Sequence, residues 1–116
     1  MWLAETAVDL PCLEALAAEG ISPSAAVRRA REFVARTFPP ARSAAMVVEI
    51  ELDSAADLAA VLAERPDVVL LDNMRPEQLA ECVAIREAAG SHVVLEASGG
   101  IRLDTVGEIA RTGVDR

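Results

Sequence analysis

Three apolar runs in this sequence end in polar residues of types that bind ligands. The runs start at Val47, Val68 and Val93, roughly 21 to 25 residues apart, which is the length of a strand with a crossover helix and its loops. The polar residues are Glu49, Glu51, Asp72, Asn73, Ser98, Gly99 and Gly100. They are expected at the carboxyl ends of adjacent parallel strands, the edge at which α/β folds bind ligands.

The acids in this set suit a sugar or a metal ion. Glu49 and Glu51 are two residues apart, so both point to the same side of a strand, and Asp72 follows four apolar residues. Carboxylates accept hydrogen bonds from ribose hydroxyls or hold Mg²⁺ through water. Simpler explanations remain open: a solvated edge strand for the glutamates, and a turn or helix cap for Asp72. Asn73 either orients Asp72 or stabilises the turn.

Ser98, Gly99 and Gly100 form a turn between a predicted strand and a predicted helix. Glycines let backbone N–H groups approach a ligand closely, and successive N–H groups bind anions such as phosphate. Two glycines are common in such turns, so the tripeptide alone is a weak signal. Together with Glu51 and Asp72 it predicts a sugar phosphate as the ligand.

Composition excludes several classes of function. All 11 basic residues are arginine, so a catalytic lysine, a Schiff base and a Walker-type lysine are excluded for this chain. The net charge of −8 argues against a nucleic-acid partner. No apolar run approaches the roughly 20 residues of a membrane span, and the first ten residues do not resemble a signal peptide, so a cytoplasmic protein without membrane contact is expected. Cys12 and Cys82 are expected to be buried and unpaired.

The pattern predicts a partial (β/α) barrel of parallel strands with crossover helices, in about three to four βα units. Strands are predicted at 46–52, 67–72 and 92–97, and helices at 11–19, 22–38, 53–64, 76–89 and 103–112, with 114–116 as the start of a fourth strand. Residues 21–116 are predicted to form the domain, and residues 1–20 are left unassigned. The inward-facing helix residues are predicted to be Ala26, Val27, Ala30, Phe33, Val34, Leu58, Val61, Leu62, Leu79, Cys82, Val83, Arg86, Val106, Ile109 and Ala110. His92 is predicted to be exposed at the start of its strand.

The motifs from Val47 to Asp115 resemble the C-terminal domain of quinolinate phosphoribosyltransferase, also called nicotinate-nucleotide pyrophosphorylase (carboxylating). They are Glu49-Ile-Glu51, Leu71-Asp72-Asn73-Met74, Leu95-Glu-Ala-Ser98-Gly99-Gly100-Ile101 and Glu108-Ile-Ala-Arg-Thr-Gly113-Val-Asp115. The resemblance implies a dimeric, Mg²⁺-dependent enzyme of NAD biosynthesis, which makes nicotinate mononucleotide, carbon dioxide and pyrophosphate from quinolinate and phosphoribosyl pyrophosphate. It further implies that Glu51 and Asp72 bind ribose and metal, and that Ser98, Gly99 and Gly100 bind phosphate.

The sequence also departs from this family. The lysine motif that family members carry falls near Pro11-Cys12-Leu13-Glu14, which does not match, and the N-terminal domain and second phosphate loop have no counterpart. The chain is therefore expected to be a truncated form with weak or no activity, holding the ribose and phosphate half of the site without its basic half. The alternatives are a non-catalytic remnant, a nucleotide-binding or interaction module, and the related family member linked to molybdenum transport.

Overall fold

The computed structural model describes residues 20–116 and has alternating helices and parallel strands. Its elements are α1 (Pro23–Thr37), α2 (Pro40–Ala45), β1 (Glu49–Leu52), a 3₁₀ turn (Ala55–Asp57), α3 (Leu58–Ala63), β2 (Val68–Asp72), α4 (Pro76–Ala88), β3 (Val94–Ser98) and α5 (Val106–Arg111). The predicted α/β class with parallel strands is confirmed. The helix predicted at 11–19 lies outside the described residues.

The strands form one parallel sheet in the order β1-β2-β3. Residues 114–116 continue it beyond β3, because Arg116 N–H donates to Leu95 O at 3.3 Å and Arg116 O accepts from Ala97 N–H at 2.8 Å. These two bonds set Glu96 opposite Arg116 in a parallel pair. The predicted start of a fourth strand is therefore confirmed.

The two faces of the sheet have different surroundings. One face is covered by the helices, and its buried residues are Val48, Ile50, Leu52, Val69, Leu71, Val93 and Leu95. Leu58, Val61 and Leu62 of α3 and Leu79 and Cys82 of α4 pack in the same core, as predicted. The other face carries Glu49, Glu51, Val68, Leu70, Asp72, Val94, Glu96 and Ser98. We call this second face the open face.

Local sequence explains where the helices begin. Ser22 caps α1, since its hydroxyl accepts from Ala25 N–H at 3.3 Å, and Pro23 follows in the first turn. Pro39 and Pro40 end α1 as predicted, but Pro40 also begins α2, which the sequence pattern did not predict. A proline at the first helical position is as compatible with a new helix as with the end of an old one.

Three residues predicted to face inward are exposed. Phe33 is 41% exposed because it lies at the outer edge of the apolar stripe of α1, away from Val27 and Val34. Val106 and Ala110 are exposed because α5 spans fewer than two turns, so that only Ile109 reaches the core. These three predictions were wrong.

Cys82 is buried and free, as predicted, and Cys12 lies outside the described residues. Burial raises the pKa of the Cys82 thiol, and the nearby charge of Glu81 adds to the effect. In the described part of the chain, no helix is long and apolar enough to cross a membrane.

Candidate functional site

The carboxyl ends of β2 and β3 meet at the predicted polar edge. Asp72 is the last residue of β2 and lies opposite Ser98, the last residue of β3. The backbone N–H of Asn73 donates to Ser98 O at 2.8 Å, which continues the parallel ladder to the end of β2. The structure therefore brings together Asp72, Asn73 and Ser98, which the sequence predicted from separate motifs.

The glycine turn lies directly against the Asp72 carboxylate. A Cβ atom placed on Gly99 would lie 2.8 Å from Asp72 Oδ1 and 3.3 Å from Asn73 N, and one placed on Gly100 would lie 3.3 Å from Asn73 Oδ1. Both glycines have left-handed backbones, with φ of +77° and +66°. Glycine is the residue that takes this conformation without strain. The turn and the carboxylate therefore form one surface at the edge of the sheet.

The two glutamates of β1 lie on the open face at different depths. Glu51 is exposed and pairs in register with Leu70, so that it sits one strand and two residues away from Asp72. Neighbouring strands are about 4.8 Å apart and residues rise about 3.3 Å each, which puts the two Cα atoms roughly 8 Å apart. Glu49 is half-buried and lies further from the carboxyl edge. Glu51 therefore lies nearer to Asp72 and to the carboxyl edge than Glu49 does.

Glu96 belongs to the same face but was not predicted as a site residue. Glu96 pairs in register with Leu70, which pairs with Glu51, and it lies two residues before Ser98. Its side chain therefore points to the same face of the sheet as those of Glu51 and Ser98. Its carboxylate Oε2 is 3.7 Å from Arg116 Nη1. The signal in the sequence was the spacing of two between Glu96 and Ser98, which repeats the spacing of Glu49 and Glu51.

Arg116 places a cation beside these acids. Because it pairs with Glu96 across the parallel ladder, its side chain also points to the open face. The Arg116 side chain is 62% exposed, so an anion can reach it. This cation was not predicted, because the register that places it depends on how residues 114–116 pair with β3.

A groove of about 810 Å³ lies at the opposite, amino ends of the strands. It is lined mainly by small and apolar residues of α3 and of the loops that precede β2 and β3. Its charged or titratable residues are Arg65, Asp67 and His92. Asp67 is already engaged, because its Oδ2 accepts from Val48 N–H at 2.7 Å and from Arg31 at 3.2 Å. His92 is exposed as predicted. The polar residues predicted from the three strand ends lie at the carboxyl edge and not in this groove, so we take the carboxyl edge as the candidate site.

The sequence of residues 16–116 matches the family described as quinolinate phosphoribosyl transferase, C-terminal domain. The chain belongs to this family. It is 43% identical over 67 residues to the nicotinate-nucleotide pyrophosphorylase (carboxylating) of Mycobacterium leprae, covering 58% of this chain and 24% of that protein. It is 38% identical over 92 residues to the probable enzyme of the same name from Methanothermobacter thermautotrophicus, covering 78% and 30%.

A solved structure of a family member shares the fold. The nicotinate-nucleotide pyrophosphorylase of Francisella tularensis superposes with a TM-score of 0.64 at 33% sequence identity, over 82% of this chain and 30% of that one. The chain therefore spans less than a third of the length of these relatives. The family resemblance expected from the motifs is confirmed.

Proposed function

We propose that this chain supplies the ribose- and phosphate-binding part of a phosphoribosyl transfer site. The reaction joins quinolinate to phosphoribosyl pyrophosphate and gives nicotinate mononucleotide, carbon dioxide and pyrophosphate. The observation that carries the proposal is the contact between the Asp72 carboxylate and the Ser98–Gly100 turn. A ribose 5-phosphate has hydroxyl groups on its sugar and a phosphate at its 5′ carbon. The carboxylate can bind the hydroxyls, and the neighbouring turn can bind the phosphate.

Each residue has a separate task in this proposal. Glu51 and Asp72 accept hydrogen bonds from the ribose hydroxyls, with Glu49 and Asn73 supporting them, while the backbone of Ser98, Gly99 and Gly100 binds the phosphate. Because carboxylates repel a phosphate, the sugar hydroxyls bind at the carboxylates and the phosphate binds at the backbone N–H groups of the turn. The site orients the ribose so that its reacting carbon faces the pyridine nitrogen.

Glu51 and Asp72 also suit Mg²⁺, the cofactor that we propose. The described residues hold no group of three or more acidic, histidine or cysteine side chains that could enclose a metal ion by themselves. Mg²⁺ usually keeps several waters and binds through one or two carboxylates and the phosphates of its substrate, and two carboxylates at the edge meet that requirement. The bound ion would neutralise charge on the leaving pyrophosphate.

We further propose a cytoplasmic homodimer and weak or no turnover by the 116-residue chain alone. The chain contains no lysine, and the lysine motif of the family has no match near Pro11-Cys12-Leu13-Glu14, so this source of positive charge for the departing pyrophosphate is missing. The same absence favours a second candidate, a nucleotide-binding module without catalysis. Binding of nicotinate mononucleotide without turnover of quinolinate and phosphoribosyl pyrophosphate would favour this second candidate.

Calorimetric titration with nicotinate mononucleotide tests the proposed site. We expect wild-type protein to bind and Asp72→Ala to bind about tenfold more weakly or worse, since hydrogen bonds to a charged acceptor are lost. Glu81→Ala is the control, because it removes an exposed acid from the middle of α4. Equal affinity of wild type and Asp72→Ala would contradict the proposal.

A further inference from the structure

Asn73 has an unusual backbone at the junction of the two strand ends. Its φ is +51°, and in the described residues Arg65 is the other non-glycine residue with positive φ. This left-handed conformation is costly for most L-residues, and asparagine is among those that tolerate it best. In that conformation the Asn73 N–H still reaches Ser98 O, at 2.8 Å. The chain thus turns sharply at the end of β2 while staying bonded to β3.

This turn places one side-chain oxygen over each glycine. The positions that a Cβ would take lie 2.8 Å from Asp72 Oδ1 at Gly99 and 3.3 Å from Asn73 Oδ1 at Gly100. Asp72 carries a charge that repels phosphate, whereas the amide of Asn73 is neutral and can both donate and accept. A charged group therefore lies next to Gly99 and a neutral group next to Gly100.

We propose that Asn73 is a positioning residue that fixes the Asp72 carboxylate against the Ser98–Gly100 turn. The two groups are then held at one spacing and bind the ribose hydroxyls and the phosphate of the same ligand molecule. This inference rests on the proposed function, because it concerns the same ligand. Asn73 acts through Asp72 and the turn, not by reacting with substrate.

Substitutions that keep the backbone but change the side chain test this role. Asn73→Gly retains access to positive φ, so it is expected to fold with undiminished thermal stability yet to bind nicotinate mononucleotide about five- to tenfold more weakly. Arg65→Gly is the matched control, since it makes the same change at the other positive-φ position, at the amino edge, and should leave affinity unchanged. Asn73→Asp also tolerates the backbone but adds a charge beside the phosphate, and should bind more weakly than Asn73→Gly.

Two further readouts separate positioning from general stability. In amide spectra of the ligand-free protein, Asn73→Gly should move the Gly99 and Gly100 signals, and Arg65→Gly should not. In an Asp72→Ala background the effect of Asn73→Gly on affinity should shrink, because the carboxylate it positions is gone. Unchanged affinity or unchanged glycine signals in Asn73→Gly would overturn this inference and leave the proposed function intact. Failure of the wild-type protein to bind would overturn both.

Discussion

A side chain at position 99 would displace the Asp72 carboxylate, because a Cβ there would lie 2.8 Å from Asp72 Oδ1. The backbone also favours glycine at this position, because its φ of +77° is unfavourable for other residues. Proximity of this kind also ties the two functional groups together, since a shift of the turn must displace the carboxylate. At the scale of single residues, the site is one packed unit of Asp72, Asn73 and the glycine turn.

Alanine at this position should therefore abolish binding, not only reduce stability. We expect Gly99→Ala and Gly90→Ala each to lose about 1–2 kcal/mol of unfolding free energy from the strained backbone. Gly90 has a φ of +63° but nothing within 4 Å of its Cβ position, so Gly90→Ala should still bind nicotinate mononucleotide. Denaturant unfolding and calorimetric titration of both variants check this. Normal binding by Gly99→Ala would show that the turn does not contact the ligand.

Two aspartates hold the amino ends of the strands in the same way, at the scale of secondary-structure elements. Asp67 Oδ2 accepts from Val48 N–H at 2.7 Å, and Asp115 Oδ2 accepts from Leu95 N–H at 2.9 Å. Asp67 lies just before β2 and also binds Arg31 of α1. Asp115 lies in the segment that pairs with β3 and also binds the buried Arg86 of α4. The same arrangement therefore occurs twice, once between β1 and β2 and once between β3 and residues 114–116. It fixes the strand register at the amino edge, away from the candidate site.

Asp115 gives this device a measurable pH dependence. The hydrogen bond from Leu95 N–H, with Arg86 beside it, holds the pKa of Asp115 below its ordinary value of 3.8. Because the folded-state pKa is the lower one, the stabilisation is present above that ordinary value and is lost as the pH falls below it.

We expect Asp115→Asn to lower the unfolding free energy by about 1 kcal/mol near neutral pH, a modest effect because the side chain is 42% exposed. The difference from wild type should disappear as the pH falls below 3.8. Asp104→Asn is the control, since its pair with Arg102 is about 70% exposed on both sides. Urea unfolding as a function of pH measures both variants. A difference that persisted unchanged in acid would contradict this account.

Helix caps and apolar spacing made most elements predictable. Ser22 caps α1, and Leu79, Cys82 and Arg86 form a buried face of α4, because these features depend on residues close in sequence. The exposure of Val106 and the pairing of Arg116 with Glu96 depend instead on how long α5 is and how residues 114–116 meet β3. These features arise from packing between segments that are distant in sequence, and the spacing of apolar residues within one segment does not predict such packing.

At the scale of the whole molecule, four acidic residues of the sheet share its open face. Glu49, Glu51, Asp72 and Glu96 all point there, in a chain with a net charge of −8. Strand periodicity alone predicted that Glu51, Asp72 and Ser98–Gly100 lie at the carboxyl edge. The positions of Glu96 and Arg116 on the same face became clear only from the strand register of the structure. An anionic ligand at this face needs a cation to offset these acids, and Arg116 or the proposed Mg²⁺ would supply it.

Mapping nicotinate mononucleotide by amide chemical shifts in isotope-labelled protein tests the central claim most directly. The account predicts that the largest shifts on titration fall on Glu51, Asn73, Gly99 and Gly100 at the carboxyl edge, and that the amino-edge groove stays unchanged. Largest shifts at Gly90, Ser91 and His92 in that groove, with the glycine turn unaffected, would contradict it.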